Sequence, residues 1–427
     1  MTLDYLGPYP DAAGYEHACA LDDADPLRDQ RQRYVHADPE LIYLDGNSLG
    51  MLSHDAAKIV NEVTHRQWGE RMIRSWNEGW WELHLRLGDL LAPILGAGVG
   101  EVMVSDSTSV NLYKLAMAAV DYKEGRTRII TDDLNFPSDV YVLRSVAETS
   151  GGTLEVVPSD GIHGPVERLV EAIDDSTALV ALSHTVFKSG YTYDMESLGE
   201  VAHAAGAMIL WDCSHSVGTV PIDFGAAQVD LAVGCTYKYL NGGPGSPAFL
   251  YVRRDLQDSL HNPIAAWWGH ADPFSFQLDF EPVSGIRRFH TGTMPILSLA
   301  AVEAGIRHVV EVGVEVIRAK SVLMGEYLID QWETHLAPLG FGLASPSDSH
   351  HRGSHVTLSH PEAWPIARAM IERAKVIPDF RTPDSIRLGL SALYNGFVDL
   401  HTAVQRVARI VGAGGHEAFA NDRPTVT

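Results

Sequence analysis

Cysteine is scarce in this chain. Only three cysteines occur among 427 residues, Cys19, Cys213 and Cys235, and no two of them are spaced as in a CxxC motif. A disulfide framework or a structural zinc site needs more cysteines, or cysteines in closer pairs. We therefore expect three reduced thiols.

Long apolar runs are also missing. No stretch approaches the roughly 20 apolar residues that a membrane-spanning helix needs. Residues 1–17, MTLDYLGPYPDAAGYEH, lack the basic segment followed by an apolar segment that marks a secretory signal peptide. The sequence therefore predicts no membrane partner and a cytoplasmic location.

Basic residues are outnumbered. The chain has 55 acidic and 32 basic residues, which gives a formal net charge of −23 at pH 7. The charges are spread along the chain without a long run of one sign. Because a nucleic-acid-binding surface needs a basic patch, nucleic acid is not an expected partner.

Apolar residues, in contrast, make up 45% of the chain, enough for a substantial core shared by two domains. Short apolar runs alternate with helix-length segments, which is typical of a mostly parallel sheet covered by helices on both faces. The predicted strands of this sheet cover residues 102–104, 127–130, 153–157, 179–182, 208–211, 231–234 and 249–252. From Pro295 the periodicity predicts one long helix to about His335, and residues 353–359 and 363–375 then predict a smaller α+β domain.

Asp212 and Lys238 carry the strongest chemical signal. Asp212 directly follows the apolar run 207–211, and open α/β sheets bind ligands at the carboxyl ends of their strands. Lys238 precedes the glycine-rich segment 241–245, where the backbone can approach a ligand closely. Such a pair suits pyridoxal phosphate, because the carboxylate can keep the pyridine nitrogen protonated while the lysine forms a Schiff base. Taken singly, an aspartate in this position is more often a helix-cap or turn residue, and such a lysine is more often a surface lysine.

Two further segments could contact such a cofactor. Ser107, Thr108 and Ser109 precede an apolar-faced helix, where free backbone N–H groups and hydroxyls can bind a phosphate. An ordinary helix cap is the alternative explanation. Phe136 could lie flat against a pyridine ring, or it could be a core phenylalanine.

Six motifs in order resemble those of kynureninases. They are DGNSLG at 45–50, FPSD at 136–139, WDCSHSVG at 211–218, TYKYLNGGPG at 236–245, WWGH at 267–270 and IRLGLSALYNGF at 386–397, and they cover nearly the whole chain. The resemblance implies an α/β aminotransferase-like (fold type I) enzyme of tryptophan catabolism, in which pyridoxal 5′-phosphate supports hydrolysis of L-kynurenine to anthranilate and L-alanine. It also implies a homodimer whose active sites are shared between subunits. We expect an N-terminal arm over 1–60, a large cofactor-binding domain over 61–300, and a connecting helix with the small domain over 301–427.

The resemblance also implies a role for each matching residue. The residues expected to bind the cofactor are Thr108, Ser109, Phe136, Asp139, Ser183, Asp212, His215, Tyr237 and Lys238, with Trp267 and Thr293 contributed by the partner subunit. Arg387 matches the arginine that binds the substrate carboxylate, and Asn47 and Ser48 are expected in the substrate pocket. The position of Thr293 is asparagine in animal members and threonine in bacterial ones. The choice between kynurenine and 3-hydroxykynurenine therefore stays open.

Lys238, Tyr237 and Asp212 are expected to perform the chemistry. Lys238 would remove the α-proton, and Asp212 would keep the ring nitrogen charged. Tyr237 would bind the phosphate or pass protons to the substrate. Arg387 would hold the carboxylate with two hydrogen bonds. His215 would orient Asp212 or cover the ring, with a buried core histidine as the alternative.

Other functions remain on the same scaffold. An aminotransferase, a decarboxylase or a desulfurase-like lyase would use the same cofactor residues, and a kynureninase-like enzyme for a modified kynurenine would keep every motif. A cysteine desulfurase needs a reactive cysteine in its C-terminal half, and no cysteine follows Cys235. The histidines within 350–360 are spaced for a strand or loop, so no metal is predicted. A non-catalytic scaffold would have no need for the combined lysine, aspartate, tyrosine and arginine.

Overall fold

A seven-stranded sheet organises the larger part of the computed structural model, which describes residues 11–421. The α-helices in that range are α1 (Ala12–Ala24), α2 (His54–Glu62), α3 (Leu83–Leu91), α4 (Thr108–Tyr122), α5 (Pro137–Thr149), α6 (Val166–Ala172), α7 (Met195–Ala204), α8 (Ile296–Val312), α9 (Val314–Gln331), α10 (Ala363–Ala374) and α11 (Phe397–Gly412). The strands are β1 (Ile42–Tyr43), β2 (Val102–Val104), β3 (Arg128–Asp132), β4 (Thr153–Val157), β5 (Thr177–Ser183), β6 (Met208–Asp212), β7 (Leu231–Gly234), β8 (Phe249–Val252), β9 (Gly342–Leu343), β10 (His355–Ser359), β11 (Val376–Ile377), β12 (Asp379–Arg381) and β13 (Ser385–Gly389). None of the helices described is long and apolar enough to cross a bilayer.

The large sheet has the strand order β2-β8-β7-β6-β5-β3-β4. Strands β3 to β7 run parallel, and β8 pairs antiparallel with both β7 and β2. Both faces are covered: Ile209 and Trp211 of β6 pack into one hydrophobic cluster, while Met208 and Leu210 pack into another. This explains why the strands read as continuous apolar runs, and it confirms the predicted mostly parallel α/β sheet.

A separate four-stranded antiparallel sheet, in the order β12-β13-β10-β9, forms a second structural unit. Its core includes side chains of α9, α10 and α11, and α1 packs against α11. Residues 42–45 reach this unit, because β1 pairs with β11 and Asp45 bridges to Gly389 of β13. The domain limits near residues 60 and 300 stay predictions, and residues 1–10 of the predicted arm lie outside the described part.

The helix predicted over 295–335 is not continuous. It is divided at Gly313 into α8 and α9. Gly313 has a φ of +89°, in the left-handed region that favours glycine, and its N–H group closes the last turn of α8 on the Val309 carbonyl. Apolar periodicity continues across the break, so the pattern alone does not reveal the change of direction.

Candidate active site

A cavity of about 190 Å³ lies where the carboxyl ends of the large sheet face β12 and β13. Ten of the predicted site residues line it: Asn47, Ser48, Thr108, Phe136, Asp139, Asp212, His215, Tyr237, Lys238 and Arg387. Parallel strands bring their carboxyl ends to one edge, which is why residues far apart in sequence meet there.

Two carboxylates meet at the floor of this cavity. Asp212 ends β6, and Asp139 lies in the first turn of α5; both are buried. Burial and the neighbouring Asp212 carboxylate raise the pKa of Asp139 well above its usual range. The Oδ2 atom of Asp139 has no hydrogen-bond partner. Two adjacent buried carboxylates favour a proton or cation beside them, which fits the protonated nitrogen of a pyridine ring.

Lys238 faces His215. The lysine Nζ lies 3.2 Å from Nε2 and 3.4 Å from Nδ1 of the imidazole. Burial, followed by the charges of Lys238 and Arg387, lowers the pKa of His215 well below its usual range, so the ring is neutral and can accept a hydrogen bond. The ring of His215 therefore contacts the lysine, whereas the sequence suggested Asp212 or the cofactor ring as its partner.

The turn that carries Lys238 is held by the DGNSLG segment. The Gly50 N–H group donates to the Tyr237 carbonyl over 2.7 Å. A Cβ atom at position 50 would lie 2.5 Å from the Lys238 carbonyl oxygen, so only glycine permits this close approach. The glycine at the end of that motif thus has a direct structural role in placing the lysine.

The opposite end of the cavity has an anion-binding character. Helix α4 begins at Thr108, and the Ser107 hydroxyl caps it by accepting from the Val110 N–H group. The Ser109 hydroxyl lies 2.9 Å from the hydroxyl of Ser138, which the sequence analysis did not select. Free N–H groups and hydroxyls at the start of a 15-residue helix fit a phosphate group.

Tyr237 and Phe136 line the same cavity as Lys238 and Asp212. The charge of Cys235, together with burial and Asp212, raises the pKa of the Tyr237 phenol, so its hydroxyl stays protonated and can donate a proton. Phe136 precedes α5 and is 42% exposed, which argues against the alternative of a core phenylalanine.

Arg387 enters the cavity from β13 and is only 1% exposed. It forms an ion pair with Asp379, donates to the Phe187 carbonyl, and donates to the Ser48 hydroxyl over 3.1 Å. Arg381 of β12 also lines the cavity, 3.2 Å from Asp379, and was missed by the sequence analysis. No strand was predicted there, and a strand of three residues is too short to give a recognisable alternation, so the sequence carried no usable signal for Arg381.

Four predicted residues do not line the cavity of their own chain. The Ser183 hydroxyl, at the end of β5, donates to the Asn135 side chain, and Ser109 contacts Ser138 as described above. Trp267 is 42% exposed, and Thr293 is exposed as well. The last two would therefore need another chain to reach a site of this kind.

Two buried histidines pack against each other, and one of them, His290, lies three residues before Thr293. His84 and His290 pack with their ring centroids 4.4 Å apart. Burial, with smaller effects of neighbouring positive charges, lowers the pKa of His84 to about 2 and that of His290 to about 3. Both rings are therefore neutral at physiological pH.

Acid is expected to destabilise the protein through this pair. The unfolded chain binds a proton at each histidine near pH 6.5, so below that pH protons favour unfolding and the unfolding free energy falls. At pH 5 we expect a loss of about 2 kcal/mol per histidine. Urea unfolding at pH 7 and pH 5 would measure it. His84→Phe should lose less stability on acidification than the wild type, and an equal loss would contradict the assignment.

Solved structures share this fold. The apo cysteine desulfurase from Thermococcus onnurineus NA1 is 18% identical with a TM-score of 0.77, over 95% of this chain and 99% of that chain. A complex of the cystine C-S lyase C-DES with cysteine persulfide is 18% identical with a TM-score of 0.75, over 87% and 98% of the two chains. At this identity the similarity shows the fold alone.

The fold and the paired lysine and carboxylate define an aminotransferase-like, fold type I pyridoxal-phosphate enzyme. The model of the kynureninase C-terminal domain matches residues 317–407. Kynureninase of Burkholderia pseudomallei is 40% identical over 401 residues, covering 93% of this chain and 95% of that protein. Kynureninase of Pseudomonas fluorescens is 41% identical over 400 residues, covering 92% and 94%. The chain belongs to the kynureninase family.

Proposed function

We propose that this chain hydrolyses the Cβ–Cγ bond of L-kynurenine, yielding anthranilate and L-alanine, with pyridoxal 5′-phosphate as cofactor. The observation that carries the proposal is the convergence of Lys238, the Asp139–Asp212 pair and Arg387 on one cavity. These groups supply a base, a partner for the ring nitrogen and a cation for the substrate carboxylate. Family membership selects this reaction among those that the fold supports.

The residues around the cavity would hold the cofactor at four places. The start of α4, with Thr108 and Ser109, would bind the phosphate. Asp212 and Asp139 would pair with the ring nitrogen, and Phe136 would cover one ring face. Lys238 would hold the cofactor covalently until substrate arrives. The other residues proposed to bind the cofactor are Ser183, His215 and Tyr237, with Trp267 and Thr293 of the partner subunit.

Each chain residue then has a defined task during the reaction. When bound, pyridoxal phosphate supplies an electron sink for the substrate α-carbon. Arg387 holds the α-carboxylate, and Asn47 and Ser48 lie beside it at the cavity wall. The freed Lys238 amine removes the α-proton, with the neutral His215 ring as its hydrogen-bond acceptor.

Cleavage adds one water molecule across the Cβ–Cγ bond. The water oxygen joins the acyl carbon, which leaves as the carboxylate of anthranilate, and the β-carbon gains a proton to become the alanine methyl group. Tyr237 is suited to donate that proton because its phenol stays protonated at neutral pH.

We propose a homodimer in which Trp267 and Thr293 enter the active site of the partner. Both residues are exposed and lie outside the cavity of their own chain. Apolar side chains are exposed nearby in the sequence, among them Phe274, Phe276 and Leu278, as expected for a surface that a second copy covers.

We propose that the protein is located in the cytoplasm. Its three free cysteines are compatible with that reducing compartment.

Substrate range is the remaining choice. Thr293 favours the bacterial type of pocket, and the second candidate is a kynureninase-like enzyme for 3-hydroxykynurenine or another substituted kynurenine. We also propose that the enzyme acts in tryptophan catabolism. Its large cofactor-binding domain would begin after residue 60 and end at residue 300.

Anthranilate fluorescence after mixing the cofactor-loaded protein with L-kynurenine tests the function directly. We expect rapid anthranilate formation, with alanine in equal amount. Parallel assays with 3-hydroxykynurenine, followed by chromatography, would rank the two substrates. Bound cofactor without cleavage of either substrate would retain the fold type and refute the proposed reaction.

A further inference from the structure

Asp106 stands two residues before the helix that we assign to phosphate binding. One carboxylate oxygen, Oδ2, accepts from Lys114 Nζ over 2.7 Å, and the other, Oδ1, accepts from the Thr291 hydroxyl over 2.8 Å. Its φ of +52° is uncommon for a residue other than glycine. Both oxygens of one side chain are therefore engaged by two different parts of the chain.

Lys114 fixes this arrangement from within α4. Its side chain is fully buried, and its ammonium group also donates to the Phe289 carbonyl over 2.7 Å. A buried ammonium group without an anion is strongly destabilising. Asp106 is the carboxylate that pairs with it, so the aspartate, the lysine and the Phe289 carbonyl form one interdependent unit.

The segment from Phe289 to Thr291 also supports the neighbouring WWGH motif. Gly269 lies against the carbonyls of Arg288 and His290, since a Cβ atom at position 269 would come within 2.9 Å and 3.1 Å of them. The buried Trp268 ring packs on His290, with centroids 5.3 Å apart. Trp267 and Thr293 are therefore attached to a single packed unit.

We propose that Asp106, held by Lys114, is a positioning residue that joins the phosphate-binding end of α4 to the unit carrying Trp267 and Thr293. The inference rests on the proposed function, because those two residues serve the partner's active site. Asp106 would then support its own site through Thr108 and the partner's site through Thr291. Each subunit would thereby link its own cofactor site to the cofactor site of the other subunit.

A purely structural ion pair is the alternative. Under this alternative, Asp106 variants would be less stable, but a change at Asp106 in one subunit would not alter the active site of the other subunit. Two variants test the linkage at different points. Asp106→Asn weakens both contacts, and Thr291→Val removes only the contact between Asp106 and the second segment.

Mixed dimers separate the two effects. One subunit is silenced by Lys238→Ala, so that the only active site uses the cofactor residues of the other subunit and Thr293 of the silent one. With Asp106→Asn in the active subunit, we expect the cofactor concentration for half activation to rise about tenfold. With Asp106→Asn or Thr291→Val in the silent subunit, we expect the cofactor concentration for half activation of the intact site to rise about fivefold, because Trp267 and Thr293 of the silent subunit are proposed to bind the cofactor there.

Cofactor binding by the Asp106→Asn homodimer gives a readout that does not depend on activity. We expect absorbance of the bound cofactor to show a dissociation constant raised about tenfold. Asp121→Asn is the matched control, because this exposed carboxylate lies at the far end of α4 and pairs with the exposed His261. It should leave the cofactor dissociation constant and KM at their wild-type values.

Thr293→Ala in the silent subunit tests the shared active site separately from the linkage through Asp106. If it raises the cofactor concentration for half activation of the active site and Asp106→Asn in the same subunit does not, the linkage is wrong and the shared site stands. If Thr293→Ala has no effect on the other subunit's site, the shared site is wrong, and the linkage is refuted with it.

Discussion

Lys238→Ala is expected to lower the turnover of L-kynurenine by about 10⁴-fold. The variant loses the base that removes the α-proton and the amine that holds the cofactor covalently. The absorbance of the bound cofactor should change as well, because that covalent link is gone. Anthranilate release and the spectrum of the purified variant measure the two effects independently.

Lys58→Ala is the control for this variant. Lys58 is an exposed lysine of α2 that does not line the active-site cavity, so its removal should leave turnover and spectrum unchanged. Retention of more than about one per cent of the turnover by Lys238→Ala would remove the central assignment of the site.

Arg387→Gln is expected to lower kcat/KM by about 10³-fold, mostly through KM. Arg387 is a buried cation in the cavity wall, and it would form an ion pair with the carboxylate of a substrate bound in the cavity. Its loss also removes the ion pair with the buried Asp379, from which Arg381 lies 3.2 Å away. Arg387→Lys should recover only part of the affinity, because an ammonium group cannot make the paired planar contact.

Arg352→Gln provides a matched loss of a buried arginine. Arg352 is 2% exposed and donates to the carbonyls of Pro346 and Ser347, away from the cavity. Both variants should be less stable in urea unfolding, but only Arg387→Gln should raise KM. Equal KM values for Arg387→Gln and the wild type would contradict the role in carboxylate binding.

Much of the large sheet was predictable from local patterns. The run 207–211 is apolar throughout because β6 is covered on both faces, and its end at Asp212 follows from the change to polar residues. The motif around Lys238 was equally visible. That Asp139 would lie beside Asp212 was not, because the contact depends on α5 following β3 and on the order of strands in the sheet.

The small sheet shows where local patterns fail. Arg387 was found through its motif, but its partner Asp379 and the second arginine, Arg381, were not. Strand β12 has only three residues, too few for a recognisable alternation. The contact of Lys238 with His215 also required the folded chain, since the sequence offered several partners for that histidine.

The sequence by itself determined the fold class and the family, and it indicated Lys238 as the candidate Schiff-base lysine, because apolar periodicity and short motifs are properties of neighbouring residues. The tertiary structure decided that Asp139 lies beside Asp212, that the His215 imidazole contacts Lys238, and that Asp106 joins two segments distant in sequence. Those relations arise when parallel strands end at one edge and a second sheet closes over it. They therefore depend on distances in space that sequence spacing does not encode.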